Sequence, residues 1–132
     1  MIKKLLPLFF LSLAVLSVSA QQSVARRWNE ALLNAIRKDF ARPPVHARNL
    51  YHVSMAMYDA WAAFDSTADT YLLGKTVGNY TCVFEGINMP ADIHAAQEEA
   101  MSYAAYRVLL QRFQFSPNAA VTLTQFRDLM IE

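Results

Sequence analysis

Apolar residues return at helical spacing in four stretches of this chain, and one long stretch between them keeps no period at all. Trp28, Leu32, Leu33, Ile36 and Phe40 recur every three or four residues, which predicts a helix from about Val24 to Phe40. Ser23 stands where its hydroxyl can cap the first turn. Arg26, Arg27, Glu30, Arg37 and Lys38 fall off the stripe and read as a solvated face. Pro43 and Pro44 stop this helix, because proline pushes the residue before it out of helical geometry.

The same prolines can open a second helix, since the first turn has no use for the N–H that proline lacks. It is expected to run to about Phe64. Leu50, Val53, Met57, Ala60, Trp61 and Phe64 share one broad side at ~100° per residue. Opposite them lie Arg48, His52, Met55 and Asp59, flanked by Tyr51, Tyr58 and Ala62. Aromatic groups around charged ones point to a helix covered on more than one side, the central member of a bundle. From Asp65 to Pro90 the period dissolves, and all three glycines lie there. A long connection is expected, with a small hairpin around Tyr80–Phe84. Such a loop is uncommon inside a small independent domain.

A third helix is expected from about Ala91 to Phe113, marked by Ile93, Ala96, Ala100, Tyr103, Ala104, Arg107, Val108 and Leu110. Ser116 as cap and Pro117 at the first helical position would begin a fourth, continued by Val121, Phe126, Leu129 and Met130. No glycine, asparagine or proline stop precedes Glu132, so this last element is expected to break off at the chain's end. The fold class is therefore all-α: a partial bundle of about four helices with a long irregular loop between the second and third.

The first twenty residues change the picture of where this bundle works. "MIKK" is a short basic head, "LLPLFFLSLAVLS" an apolar run, and "VSA" a small-residue cleavage pattern. Together they predict a signal peptide over residues 1–20, cleaved after Ala20, and a secreted or periplasmic product at 21–132. The apolar run falls short of the ~20 residues that a membrane span needs. Cleavage takes two of the twelve lysines and arginines, leaving ten against eleven aspartates and glutamates. So balanced a chain gives no electrostatic reason to bind nucleic acid or an anionic membrane. Cys82 is the one cysteine, so no internal disulfide can form and stability must come from apolar packing. Cys82 itself reads as a small packed residue. "NYT" at Asn79–Thr81 has the N-glycosylation pattern, which matters only in a eukaryotic secretory pathway.

The chemistry-bearing residues do not assemble a catalytic motif. His46 and His52 are six apart and face different ways on a helix, so they cannot form an i, i+4 metal pair. His52 and Asp59 share a side, but seven residues span ~10 Å of helix axis, too far for a direct bond between most rotamers. The expected arrangement is a polar seam in which Arg48, His52 and Asp59 bond to neighbouring helices or to a later segment. His94 and Glu98 make an ordinary exposed i, i+4 pair. No nucleophile elbow and no glycine-rich phosphate loop occurs.

One longer pattern is more specific. "WNEALLNAIRKDFARPPVHARNLYHVSMAMYDAWAAFD", Trp28 to Asp65, carries Trp-Asn, then Pro43-Pro44, Ala47-Arg48, His52, and Asp59-Ala60 with an aromatic after it. This stretch resembles the amino-terminal helices of the vanadium-dependent haloperoxidase family, which is related to the type 2 phosphatidic acid phosphatases. "GNYTCVFEGINMPADIHAAQEEAMSYAAYRVL" looks like the loop and next helix of the family's bacterial secreted members. The resemblance implies a larger bundle of helices with vanadate held near its carboxyl-terminal part. There a lysine, two arginines, a Ser-Gly-His segment and a final histidine serve the oxyanion, and peroxide activated on vanadate oxidises halide. Clustered cations and hydrogen-bond donors are what such an oxyanion requires.

Those site motifs are missing from these 132 residues. The family's lysine is separated from its Arg-Pro by six residues; Lys38 and Arg42-Pro43 have only three residues between them and sit at a helix junction. No Ser-Gly-His occurs, and no histidine follows His94. The resemblance therefore assigns no catalytic, cofactor-binding or metal-binding residue here. Its implication is an amino-terminal helical part, inactive by itself, whose partner would be a missing carboxyl-terminal half or another copy. Vanadate is expected only of a full-length member. The rival expectation is a stand-alone exported binding module without catalysis, with a small phosphatase ranked last. A part of a larger bundle should expose apolar surface, bind hydrophobic dyes and melt without a sharp transition, whereas a module should unfold cooperatively.

Overall fold

The computed structural model describes residues 22–40 and 42–131. Four helices carry the chain: α1 Val24–Arg37, α2 Pro43–Ala62, α3 Ile93–Phe113 and α4 Ala119–Ile131. The only sheet among the described residues is a two-stranded antiparallel hairpin, β1 Thr76–Val77 with β2 Tyr80–Thr81. The all-α class holds. The signal-peptide reading over residues 1–20 lies outside the described residues. No described helix is long and apolar enough to cross a membrane.

Local chemistry sets most boundaries. Ser23 caps α1, its Oγ accepting from the Arg26 N–H at 3.4 Å. α1 ends at Arg37, three residues short of the expected Phe40, where Lys38 N–H and Asp39 N–H turn back to Ala35 and Ile36 carbonyls. Phe40 thereby leaves the helical stripe. It is 56 % exposed, with the Arg42 guanidinium 5.1 Å over its ring. Pro43 and Pro44 occupy the first turn of α2 as expected. Beyond α2, the Asp65 carboxylate accepts from Thr67 N–H, Thr67 hydroxyl and Ala68 N–H at 2.7–2.8 Å, a turn that starts the long loop. Those donors hold the Asp65 carboxyl below its ordinary range, the Thr67 hydroxyl contributing most. Asp92, not Ala91, begins α3 by capping the Ala95 N–H at 3.0 Å.

Two expectations shift further. The hairpin lies a few residues earlier than Tyr80–Phe84, with Val77 opposite Tyr80 and the turn at Gly78-Asn79. Gly78 takes φ 61° while Asn79 does not go positive, which is the dihedral pattern of a II′ turn and explains a glycine at that position. The fourth helix starts at Ala119, because the Thr122 N–H reaches back to Asn118 O. Ser116 and Pro117 belong to the turn before it, and Asn118 instead donates its side-chain amide to Lys38 O at 2.9 Å. That bond ties the end of α1 to the start of α4.

The core joins all four helices. Trp28, Leu32 and Ala35 of α1, Val53 and Met57 of α2, Ala105, Leu109 and Phe113 of α3, and Phe126 of α4 form one buried cluster. α1 and α3 each touch the other three helices, α3 more extensively, while α2 and α4 do not meet. The central member is thus α3, not α2. Its alanines, Ala105 fully buried among them, let neighbours approach closely. On α2 the buried set also departs from the expected stripe: Leu50 is partly exposed, and His46, Asn49, Asp59 and Ala62 go inside with Val53 and Met57. Polar groups can be buried there because two of them find strong partners. His46 Nε2 donates to Phe40 O at 2.7 Å, bracing the α1–α2 corner, and Asp59 collects three backbone N–H groups from the loop.

Candidate functional site

α2, α3 and the loop enclose a groove of about 970 Å³, lined on one side by His52, Met55, Ala56, Asp59 and Ala60. α3 contributes Ala104, Arg107, Val108, Gln111 and Arg112. Leu72, Leu73 and Cys82 close the third side. The loop is held there by α2 itself. Asp59 Oδ1 accepts from Tyr71 N–H, and Oδ2 accepts from Leu72 N–H at 2.8 Å and Leu73 N–H at 3.0 Å. Two tyrosines add to the seam: Tyr51 hydroxyl donates to the Tyr71 hydroxyl at 2.8 Å, and Tyr58 to Asp69 O at 2.9 Å. The Tyr71 contact raises the Tyr51 phenol above its ordinary range. The hairpin continues the wall, with Gly74 N–H on Cys82 O and Cys82 N–H on Lys75 O.

Two of the three residues expected in a polar seam on α2 find partners there, and they part company; Arg48 is exposed and, among the described residues, makes no hydrogen bond or ion pair. Asp59 goes to the loop, while His52 goes to α3, where the Arg112 guanidinium donates to His52 Nδ1 at 2.6 Å. No His52–Asp59 bond exists, so the two do not make a base dyad. Only a neutral imidazole can accept from Arg112 through Nδ1. Desolvation first, then Arg112 and Arg48, lower the His52 pKa from its ordinary value. A folded pKa below the unfolded one means that folding is opposed by protonation, so stability is full above the unfolded value of about 6.5 and declines as pH falls below it. Thermal midpoints of the chain should therefore drop between pH 7.5 and pH 5.5, and His52→Gln should flatten that slope. An unchanged slope in the variant would remove His52 from the account. Asp65, with its depressed carboxyl, gives up its contribution only at lower pH, below about 3.9.

Other flagged residues stay apart from the groove or play structural parts. His94 Nδ1 lies 3.9 Å from Glu98 Oε2 on an exposed face, as expected. Cys82 is half-buried in the groove wall with no disulfide partner. Asn79–Thr81 forms the exposed tip of the hairpin. Among the described residues, no three His, Cys, Asp or Glu side chains gather as a metal-ligand set.

The groove's basic end was not legible in the sequence. Arg107 and Gln111 stand one turn apart on α3, and Arg112 reaches His52 from sixty residues away. Among the described residues, neither Arg107 nor Arg112 has a carboxylate within ion-pair distance. The one carboxylate in the groove, Asp59, is taken up by three amides.

Neither cation group suits vanadate. Lys38 donates to Gln125 at 2.9 Å and Arg42 covers the Phe40 ring, so the Lys38/Arg42 pair does not converge. Arg107 and Arg112 are exposed at the groove's rim without the buried ring of donors that an oxyanion centre needs. No family model matches the sequence, and no curated protein or solved structure matches the chain.

Proposed function

We propose that this chain is the amino-terminal helical part of a secreted protein resembling the vanadium-dependent haloperoxidases, and that it does not turn over halide by itself. The observation that carries this reading is the Trp28–Asp65 pattern folded as two helices joined at Pro43-Pro44, with no oxyanion cradle beside it among the described residues. Exposed apolar side chains support it. Val45, Leu50, Tyr51 and Tyr58 lie open along α2, and Tyr103 along α3, where further helices of a larger bundle would cover them.

The four-helix core changes which test discriminates. A buried cluster that spans all four helices supports cooperative unfolding in either reading, so the sharpness of melting does not separate part from module. Intact mass does. The native exported protein should be much heavier than the mass calculated for Gln21–Glu132, and the recombinant chain with vanadate, peroxide and bromide should give no turnover. A native mass equal to Gln21–Glu132 would favour the second reading, an exported binding module, for which the groove between α2 and α3 is the supporting feature. Vanadate-dependent bromide oxidation by this chain alone would overturn the inactive-part reading outright.

A further inference from the structure

We infer that the groove between α2, α3 and the 72–82 segment is a binding site for an amphipathic carboxylate, an apolar body with one carboxylate head. The size of the site sets the class first. About 970 Å³ is at the upper end for small-molecule sites, far more than a bare inorganic anion would fill. Met55, Ala56, Ala60, Leu72, Leu73 and Val108 line most of it, surfaces that an apolar chain or ring system covers and a hydrophilic metabolite does not. The chain supplies three walls of its own, the third pinned by Asp59, and the groove is open to solvent beyond them.

The head group follows from charge. Arg107 and Arg112 line the same groove with no carboxylate of their own, and Gln111 adds a side-chain amide one turn from Arg107. His52 accepts one donor of Arg112, which orients that guanidinium and leaves its other N–H groups open. A guanidinium fork matches the two oxygens of a carboxylate, the group that arginine recognises with bidentate geometry. Asp59 does not repel the head group from that end, because its oxygens are committed to the Tyr71, Leu72 and Leu73 amides.

Titration calorimetry of the purified chain with dodecanoate and with dodecan-1-ol tests the assignment. The expected result is saturable binding of one dodecanoate per chain, with the alcohol about tenfold weaker for want of the charged contacts. Arg107→Gln should weaken dodecanoate about tenfold and leave the alcohol unchanged. This side chain is exposed and unpaired, so the variant keeps its fold. Ala56→Trp, which fills the apolar part, should abolish binding of both while the circular dichroism spectrum stays as it was. Equal affinity for acid and alcohol, or dodecanoate binding indifferent to both variants, would overturn the proposal. So would sedimentation showing that a second copy closes the groove and that no dodecanoate enters.

Discussion

Replacing Trp28 by alanine should remove about 3–5 kcal/mol from the unfolding free energy, the largest loss expected from any single truncation in this chain. Trp28 is 1 % exposed and belongs to the cluster that all four helices share. Its ring stands 6.3 Å from that of Tyr106 on α3, tilted by 56°, so the indole is the main wedge between α1 and the central helix. Truncation loses the transfer energy of a large ring and leaves a void that rigid helices cannot close. Domains of this size are stable by about 5–15 kcal/mol, so the variant should sit near the edge of folding at 37 °C. Urea titration followed by circular dichroism is the measurement, because the substitution removes one of the two tryptophans that fluorescence would use. Phe115→Ala is the matched control. Phe115 is 89 % exposed, and its loss should move stability by less than about 0.5 kcal/mol. Equal effects from the two would mean that Trp28 does not hold the core.

The contrast between those two aromatics shows which parts of the fold the sequence could reveal. α1 was legible because its buried residues alternate with charged ones: Trp28, Leu32 and Ala35 face inward, Arg26, Glu30 and Arg37 outward. α3 was legible as a helix but not in its facing. Apolar residues surround it on nearly every side, so period alone could not choose Ala105 and Leu109 over Tyr103 or Val108. Only the packed structure shows that three helices press on it, and that is why it was not recognised as the centre. Asn49, buried on α2, gave no signal at all, since an asparagine inside a helix reads as solvated by default.

The candidate site divides the same way. Helical stepping was enough to put Arg48, His52 and Asp59 on one side of α2 and to reject a His52–Asp59 dyad. It could not supply their partners, which lie 12 to 14 residues away for Asp59 and sixty for His52. Arg107 entered only as one of the residues marking the third helix and Arg112 carried no signal, since their place in one groove without acidic neighbours is a tertiary fact. The stretch from Asp65 to Pro90 lost its helical period because its backbone serves a different end. Its order comes from side chains of α2 gripping main-chain amides, a kind of pairing that leaves no periodic trace in the loop's own residues.

That grip makes Asp59→Ala the substitution with the most to say about the groove. Three amides, those of Tyr71, Leu72 and Leu73, point at one carboxylate that is nearly buried. Bonds to an ionised acceptor are worth roughly twice neutral ones, and removing the acceptor strands every donor at once. The expected loss is about 2–4 kcal/mol, less than three full charge-assisted bonds because a released loop lets water reach the freed amides. Amide exchange distinguishes this from a core defect. In Asp59→Ala the amides of residues 71–73 should exchange much faster, while those of α3 around Leu109 change only with global stability. Asp59→Asn should fall between, since its single carbonyl oxygen can serve part of the set and its NH₂ meets the remaining donors head-on. If the three amides keep their protection in Asp59→Ala, the Tyr51–Tyr71 and Tyr58–Asp69 bonds must hold the loop alone. If protection is lost, the wall made by Leu72, Leu73 and Cys82 is lost with it, and the groove exists only because a helix aspartate folds the loop against it.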